Sequence, residues 1–137
     1  MSQINDDKVI QFYYFPILGE VKVELERFPA KFYKFMHGNG EIERLRDLKH
    51  LGVLSHLFPG IKHSRYEYTL LNLYLAHNLN LSNHVDKKIG NLTFSKREVL
   101  DLLMLSANIG HIYGTFAVEK AILSYLWKNH LLEQLLL

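Results

Sequence analysis

The sequence predicts a mostly α-helical bundle that opens with a short β-hairpin. From residue 29 onward, apolar residues recur at three- and four-residue intervals, the period of a buried helical face. Glycine, proline and asparagine clusters cut that pattern into segments of ordinary helix length. Only residues 8–25 depart from it, first with a β-branched and aromatic run, then with strict alternation. The 137 residues are 48% hydrophobic and 12% aromatic, enough for an ordinary globular core. A chain of this length is expected to be one domain, 1–137, or the front of a longer one, burying roughly two-thirds of its unfolded surface.

Lys8 to Tyr14 (KVIQFYY) reads as a strand, which Pro16 and Gly19 then break. Glu20 to Leu25 alternates polar and apolar, putting Val21, Val23 and Leu25 on the buried side of a hairpin. Pro29 suits the first position of a helix carrying Phe32, Tyr33 and Phe35, stopped by Gly38-Asn39-Gly40. Glu41 to Leu51 spaces Ile42, Leu45, Leu48 and Leu51 by threes; Glu43, Arg44, Arg46, Asp47 and Lys49 form its other face. A Phe58-Pro59-Gly60 corner and a polar loop with His63, Ser64, Arg65 and Glu67 lead into a helix over 65–79. Its apolar side is Leu70, Leu71, Leu73, Leu75 and Ala76. Asn80, Ser82 and Asn83 mark the following loop, and residues 87–91 a further turn. Thr93 or Ser95 caps a helix beginning Lys96-Arg97-Glu98, Ser95 and Glu98 having capping-box spacing, and that helix carries Val99, Leu102, Leu103, Leu105 and Ile109 and is ended by Gly110. Residues 115–136 are expected to form a last helix, with Phe116, Ala117, Ala121, Ile122, Tyr125, Leu126, Leu131 and Leu132 as its stripe.

Charge and composition narrow the function. A net charge of +2 makes no nucleic-acid-binding field, and the absence of cysteine excludes a disulfide scaffold or cysteine-ligated zinc. The polar start MSQINDDKV is unlike a signal peptide, and no apolar run reaches membrane-span length, so a cytoplasmic protein is expected. No cofactor is expected. Leu126, Leu131, Leu132, Leu135, Leu136 and Leu137 crowd the last dozen residues, which predicts association with a second copy or another protein. An arginine at a helix start, such as Arg65, opposes the helix dipole and calls for an anionic partner, from Glu67, Asp47 or a ligand.

Two stretches, ERLRDLKHLG…FPGIKHSRYEYT at 43–69 and MLSANIGHIYGTF at 104–116, resemble motifs of the HD-domain phosphohydrolases. The resemblance is to the branch that removes triphosphate from deoxynucleotides, whose segments read QRLRxIKQLG…FPGAxHxRFEHS and LLHDIGHGPFSH. Phe15-Pro16-Ile17-Leu18-Gly19 is a weaker echo of that branch's DPIHG, with Leu18 in the histidine's place. The three motifs come in order and span about four-fifths of the chain. The resemblance implies an HD-domain-like helical bundle with the hairpin at its edge.

It also implies specific roles. An HD site holds one or two metal ions that polarise a phosphate and activate water. Its ligand positions fall here on Tyr68, Ala107 and Asn108, and a distant aspartate would lie beyond Leu137 or has no counterpart. A protonated phenol, a methyl group and a neutral amide do not replace two imidazoles and a carboxylate. The anion-facing part persists: Arg65 matches the arginine that contacts the triphosphate, and His111 the histidine that follows the metal-binding pair. Arg44 and Arg46 fall where the family uses arginines around nucleotides, and His50 takes the place of a sugar-reading glutamine. His63 completes the candidate set. The expected function is therefore a catalytically inactive module that binds a nucleotide or phosphate, or serves in protein assembly. The alternative is a metal-dependent nucleotide phosphohydrolase with rearranged or partner-completed ligands. His63 and His111 alone would not make a metal site, which needs three or four ligands.

Overall fold

The computed structural model describes residues 2–5, 7–52, 54–58, 60, 62–79, 87–89, 92–111 and 115–129. The chain begins with three antiparallel strands: β1 (Ser2–Asn5), β2 (Lys8–Phe15) and β3 (Gly19–Glu26), in the order β1-β2-β3. Val9 pairs with Leu25 and Gln11 with Val23, so one face of the two long strands turns inward together. Val9, Val21, Val23 and Leu25 on that face are 0–2% exposed. The period-two reading of this segment holds.

At the end of β3 the chain turns sharply into α1 (Arg27–Gly38). Arg27 makes the corner in the left-handed region, at φ 51°, a conformation that costs a residue with a Cβ. Its N–H donates to the Asp7 carbonyl at 3.0 Å and its guanidinium bonds Glu98 at 3.1 Å, which hold the corner in place. Then come α2 (Glu41–Asp47), the single turn α3 (Leu54–Leu57) and α4 (Arg65–His77). A second hairpin, β4 (Lys87–Ile89) with β5 (Leu92–Phe94), precedes α5 (Lys96–Ser106) and α6 (Thr115–Lys128). Ser64 and Ser95 each close a capping box, with Glu67 and Glu98. Each box satisfies orphan N–H groups at its helix start and places a carboxylate against the positive end of the dipole.

The expectation of a mostly α, HD-domain-like bundle with a short hairpin is corrected. The N-terminal β element is a three-stranded sheet with two eight-residue strands, and a second hairpin stands between α4 and α5. The N-terminal strands β2 and β3 supply Val9, Val23 and Leu25 to the same core as Tyr33, Met36, Ile42, Leu45, Leu70, Leu73 and Leu105. One wall of the core is therefore sheet. β1 escaped notice because its sequence, SQIN, is polar, and an edge strand can be held by backbone hydrogen bonds alone. β4 and β5, only three residues each, resemble turn sequence.

The helices also shift. α2 stops at Asp47, four residues short of the expected Leu51, and Leu48 continues as extended chain while still fully buried. α1 buries Pro29, Ala30, Tyr33 and Met36, and leaves Phe35 66% exposed. α4 buries Leu70, Leu73 and Ala76, while Leu75 lies outside. On α5 the deeply buried side chains are Glu98, Asp101 and Leu105; Leu103 and Ile109 face solvent. On α6 the described side chains Ile122, Leu123, Tyr125 and Trp127 are exposed, and those of Phe116 and Ala117 lie outside the described residues. Pro59, the 80–83 loop signals, Gly90, Asn91 and the Leu131–Leu137 cluster lie outside the described residues. Among the described residues no helix is long and apolar enough to cross a membrane.

The inward face of α4 gives a direct check on this packing. Leu73→Ala, at a fully buried position, is expected to cost about 2–5 kcal/mol through lost transfer energy and a residual cavity. Leu75→Ala, two residues on and half exposed, should cost no more than about 0.5 kcal/mol. Urea denaturation midpoints of the two variants measure the difference, and equal losses would mean that α4 packs by another face.

Candidate functional site

The site is built where the end of α2 meets the start of α4. Leu48 to His50 run antiparallel to His63 to Arg65: the His50 N–H donates to the His63 carbonyl at 3.0 Å, and the Arg65 N–H to the Leu48 carbonyl at 2.8 Å. These two bonds explain why α2 stops early, since Leu48 must be extended to make them. They also carry Arg65 inward, at the first position of α4 and directly after its cap, Ser64.

Arg65 is 1% exposed. Its Nη1 donates to Asn108 Oδ1 at 2.9 Å, and Asn108 Nδ2 donates to Thr69 Oγ1 at 2.9 Å. Thr69 Oγ1 in turn donates to the Arg65 carbonyl at 2.9 Å, closing a buried ring of three side chains and one backbone group. The orientation of the Asn108 amide follows from chemistry, because a guanidinium can only donate and must meet the oxygen. Arg65 Nε and Nη2 are sealed from solvent and have no hydrogen-bond partner among the described residues. A buried cation whose direct partner is a neutral amide is costly. Burial indeed makes Arg65 easier to deprotonate; the Glu119 charge works against that effect and the Arg44 charge adds to it.

Beside Arg65 stands a stack of three rings. His50 lies 3.9 Å from the Tyr68 ring and 5.2 Å from the His63 ring, centroid to centroid, with planes tilted by 24° and 30°. His50 Nδ1 is also sealed and has no hydrogen-bond partner among the described residues. Burial, then the charges of His63, Arg65 and His111, hold the His50 pKa below its ordinary value. His111 follows Gly110, whose φ of 85° turns the chain after α5. Its Nδ1 lies 2.5 Å from Glu119 Oε1 on α6, and its carbonyl accepts from Arg44 Nη1. Arg44 is gripped on its other edge by Glu41, with bonds of 2.7 and 2.5 Å.

The fold thus gathers Arg44, His50, His63, Arg65, Tyr68, Asn108 and His111 around one point. Arg46 goes elsewhere. It points from the other side of α2, its guanidinium 4.7 Å over the Tyr66 ring, into a cavity of about 490 Å³ shared with Gln11, Tyr13 and Lys49. A second cavity, about 570 Å³, opens between the β2–β3 turn and the 60–68 loop, and Lys62, His63 and Tyr68 bring it to the edge of the stack. Ala107 caps the end of α5 at the surface.

The donor set does not fit a hydrolytic metal. Tyr68 is engaged in the ring stack, Ala107 has no ligand atom, and the Asn108 amide is used by Arg65 and Thr69. Among the described residues no group of three histidine, aspartate or glutamate side chains is placed to hold a metal ion. What the site can do is hold negative charge: two arginines and three histidines face two carboxylates, Glu41 and Glu119. Thr69 and Glu119 were not apparent in the sequence. Thr69 is four residues after Arg65, a spacing that could have placed it, whereas Glu119 reaches the site across a loop and carries no local signal. No family model, curated protein or solved structure matches the chain.

His50 makes the electrostatics measurable. Its folded-state pKa lies below the unfolded value near ~6.5, so on acidification the unfolded chain takes up the proton first. The stability linked to neutral His50 is complete above that value and is lost as the pH falls toward the folded pKa. Between about pH 7.5 and 5.5 the wild type should therefore lose more unfolding free energy than His50→Gln, which cannot titrate. Equal losses in both proteins would show that His50 is not strained by its cationic neighbours.

Proposed function

We propose that the chain is a cytosolic binding module for phosphate or a nucleotide, centred on Arg65, and that it does not hydrolyse what it binds. The observation that carries this reading is the arginine itself, fully buried, with its Nε and Nη2 nitrogens unclaimed and no carboxylate in hydrogen-bond contact among the described residues. Such a group recovers its desolvation cost when an anion meets it with charge-assisted bonds. A phosphate oxygen would take the free edge of the guanidinium. His111 and Arg44 would add charge from one side, and His63 with Lys62 would line the approach from the open cavity. The motif resemblance supports the same chemistry, since it matches Arg65 to an arginine that contacts the triphosphate and His111 to the histidine that follows the metal-binding pair. It supports loss of hydrolysis as well, because Tyr68, Ala107 and Asn108 replace the ligands.

Binding should be weak and salt-dependent, because part of the site is exposed and exposed charges are screened. Thermal denaturation of the purified protein with pyrophosphate and a panel of deoxynucleotides is the test. The wild type should melt at higher temperature with ligand, the gain should shrink as sodium chloride rises, and no phosphate should be released with manganese present. Arg65→Gln keeps a neutral donor for Asn108 and should lose the response by at least about tenfold in affinity, the cost of one charged contact. The same shift in both proteins would remove Arg65 from the site, and turnover would return the chain to the hydrolases.

A further inference from the structure

A second cluster of charge lies at the other end of α4, roughly 18 Å along the helix axis from Arg65. There the end of β3, the last turn of α4 and the start of α5 enclose a cavity of about 470 Å³. Arg97, Glu98 and Asp101 line it from α5, His77 from α4 and Arg27 from the corner before α1. Glu98 and Asp101 are only 7% and 4% exposed, although carboxylates are seldom buried without full pairing. Glu98 Oε2 accepts from Arg27 at 3.1 Å and from the Ser95 N–H at 2.8 Å. Its Oε1 is sealed and has no hydrogen-bond partner among the described residues. Asp101 Oδ1 meets His77 Nε2 at 3.0 Å, and its second oxygen has no partner among the described residues. A neutral imidazole can donate that bond without cancelling the charge. Arg97 gives one N–H to the His77 carbonyl at 3.2 Å and makes no ion pair among the described residues. The rim carboxylates are already claimed, Glu24 by Lys8 and Lys22 and Glu26 by Lys8. One buried carboxylate, Asp101, and one guanidinium, Arg97, are left over, four residues apart on one face of α5.

We propose that this cavity binds a free amino acid in its zwitterionic form, with its ammonium group on Asp101 and its carboxylate on Arg97. An ammonium brings the N–H donors that the open Asp101 oxygen lacks, and the incompletely paired charge of Glu98 stands behind it. A carboxylate fits the planar fork of Arg97. A ligand with only one charge would leave one of the two groups unanswered. A metal ion fits poorly, since among the described residues no three histidine, aspartate or glutamate side chains are placed to hold one. Both handles are fixed in advance by His77, whose ring orients Asp101 and whose carbonyl orients Arg97, so little ordering is needed on binding. The volume falls within the usual range of small-molecule sites, about 300–1,000 Å³, and leaves room for a side chain.

The test uses the full chain, with each common L-amino acid screened by thermal denaturation against potassium chloride at matched ionic strength. Isothermal titration then measures the best binder, the amine that lacks its carboxylate and the acid that lacks its amino group. The amino acid should raise the melting temperature, and each analogue should bind at least about tenfold more weakly, the worth of one charged contact. Asp101→Asn keeps an oxygen for His77 but loses the charge, and should weaken the amino acid by at least about tenfold. Arg97→Gln should weaken the amino acid about three- to tenfold and leave the affinity of the amine unchanged. Circular dichroism checks both folds, and should Asp101→Asn not fold, the contrast between amino acid and amine in Arg97→Gln decides. The proposal is overturned if no amino acid raises the melting temperature, if the amine binds as tightly as the amino acid, or if the folded variants bind as the wild type does.

Discussion

A buried arginine bonded to an amide where a carboxylate would balance it is the constraint around which this molecule is arranged. Arg65 sits inside because two backbone hydrogen bonds, from His50 to His63 and from Arg65 to Leu48, fasten the end of α2 to the start of α4. That junction ends α2 early and sets the Ser64–Glu67 capping box. It also brings His50 under Tyr68 and points the guanidinium at Asn108. Moving any of these elements would leave a charge in the interior with even fewer partners. Burial in this junction, followed by the charges of His63, Arg65 and His111, also holds the His50 pKa below its ordinary value.

On the proposed reading, the same arrangement separates binding from hydrolysis. Asn108 and Thr69 complete the ring around Arg65, and in doing so they use the atoms that an acidic side chain at that place would offer to a metal. The result is a site rich in donors and poor in ligands, suited to holding an anion and unsuited to activating water. The Glu119 carboxylate on α6 partly compensates the positive charge by pairing with His111.

Much of this was legible in the sequence, for local reasons. Strict alternation in EVKVEL could only bury Val21, Val23 and Leu25 together, and the Ser95–Glu98 spacing marked the start of α5. The cluster of Arg65, His50, His63 and His111 followed from motif spacing, because such frames depend on backbone geometry at positions like Gly110. What was not legible depends on contacts between distant residues. A polar edge strand such as SQIN is visible only once β2 is there to pair with it. The end of α2 at Asp47 is imposed by bonds to residues 63 and 65, against a helical pattern that continues to Leu51. Arg46 shares a helix with Arg44, yet Arg46 enters the cavity with Gln11 and Tyr13 while Arg44 reaches the His111 carbonyl, since neighbours two apart on a helix do not share a face. Glu119 could be placed only by the fold.

The central claim, that Arg65 is a buried cation lacking a bonded counter-charge, is tested most directly by supplying one. Asn108→Asp places a carboxylate 2.9 Å from Nη1 with almost no change of shape. The unfolding free energy at neutral pH should rise by roughly 1–3 kcal/mol, the worth of a charge-assisted bond. That gain should be lost as the pH falls through the lowered pKa of the new carboxyl group. Phosphate should no longer raise the melting temperature of the variant. A less stable variant at neutral pH would contradict the claim, because it would mean that the charge of Arg65 is already neutralised and the added carboxylate is the one left unpaired.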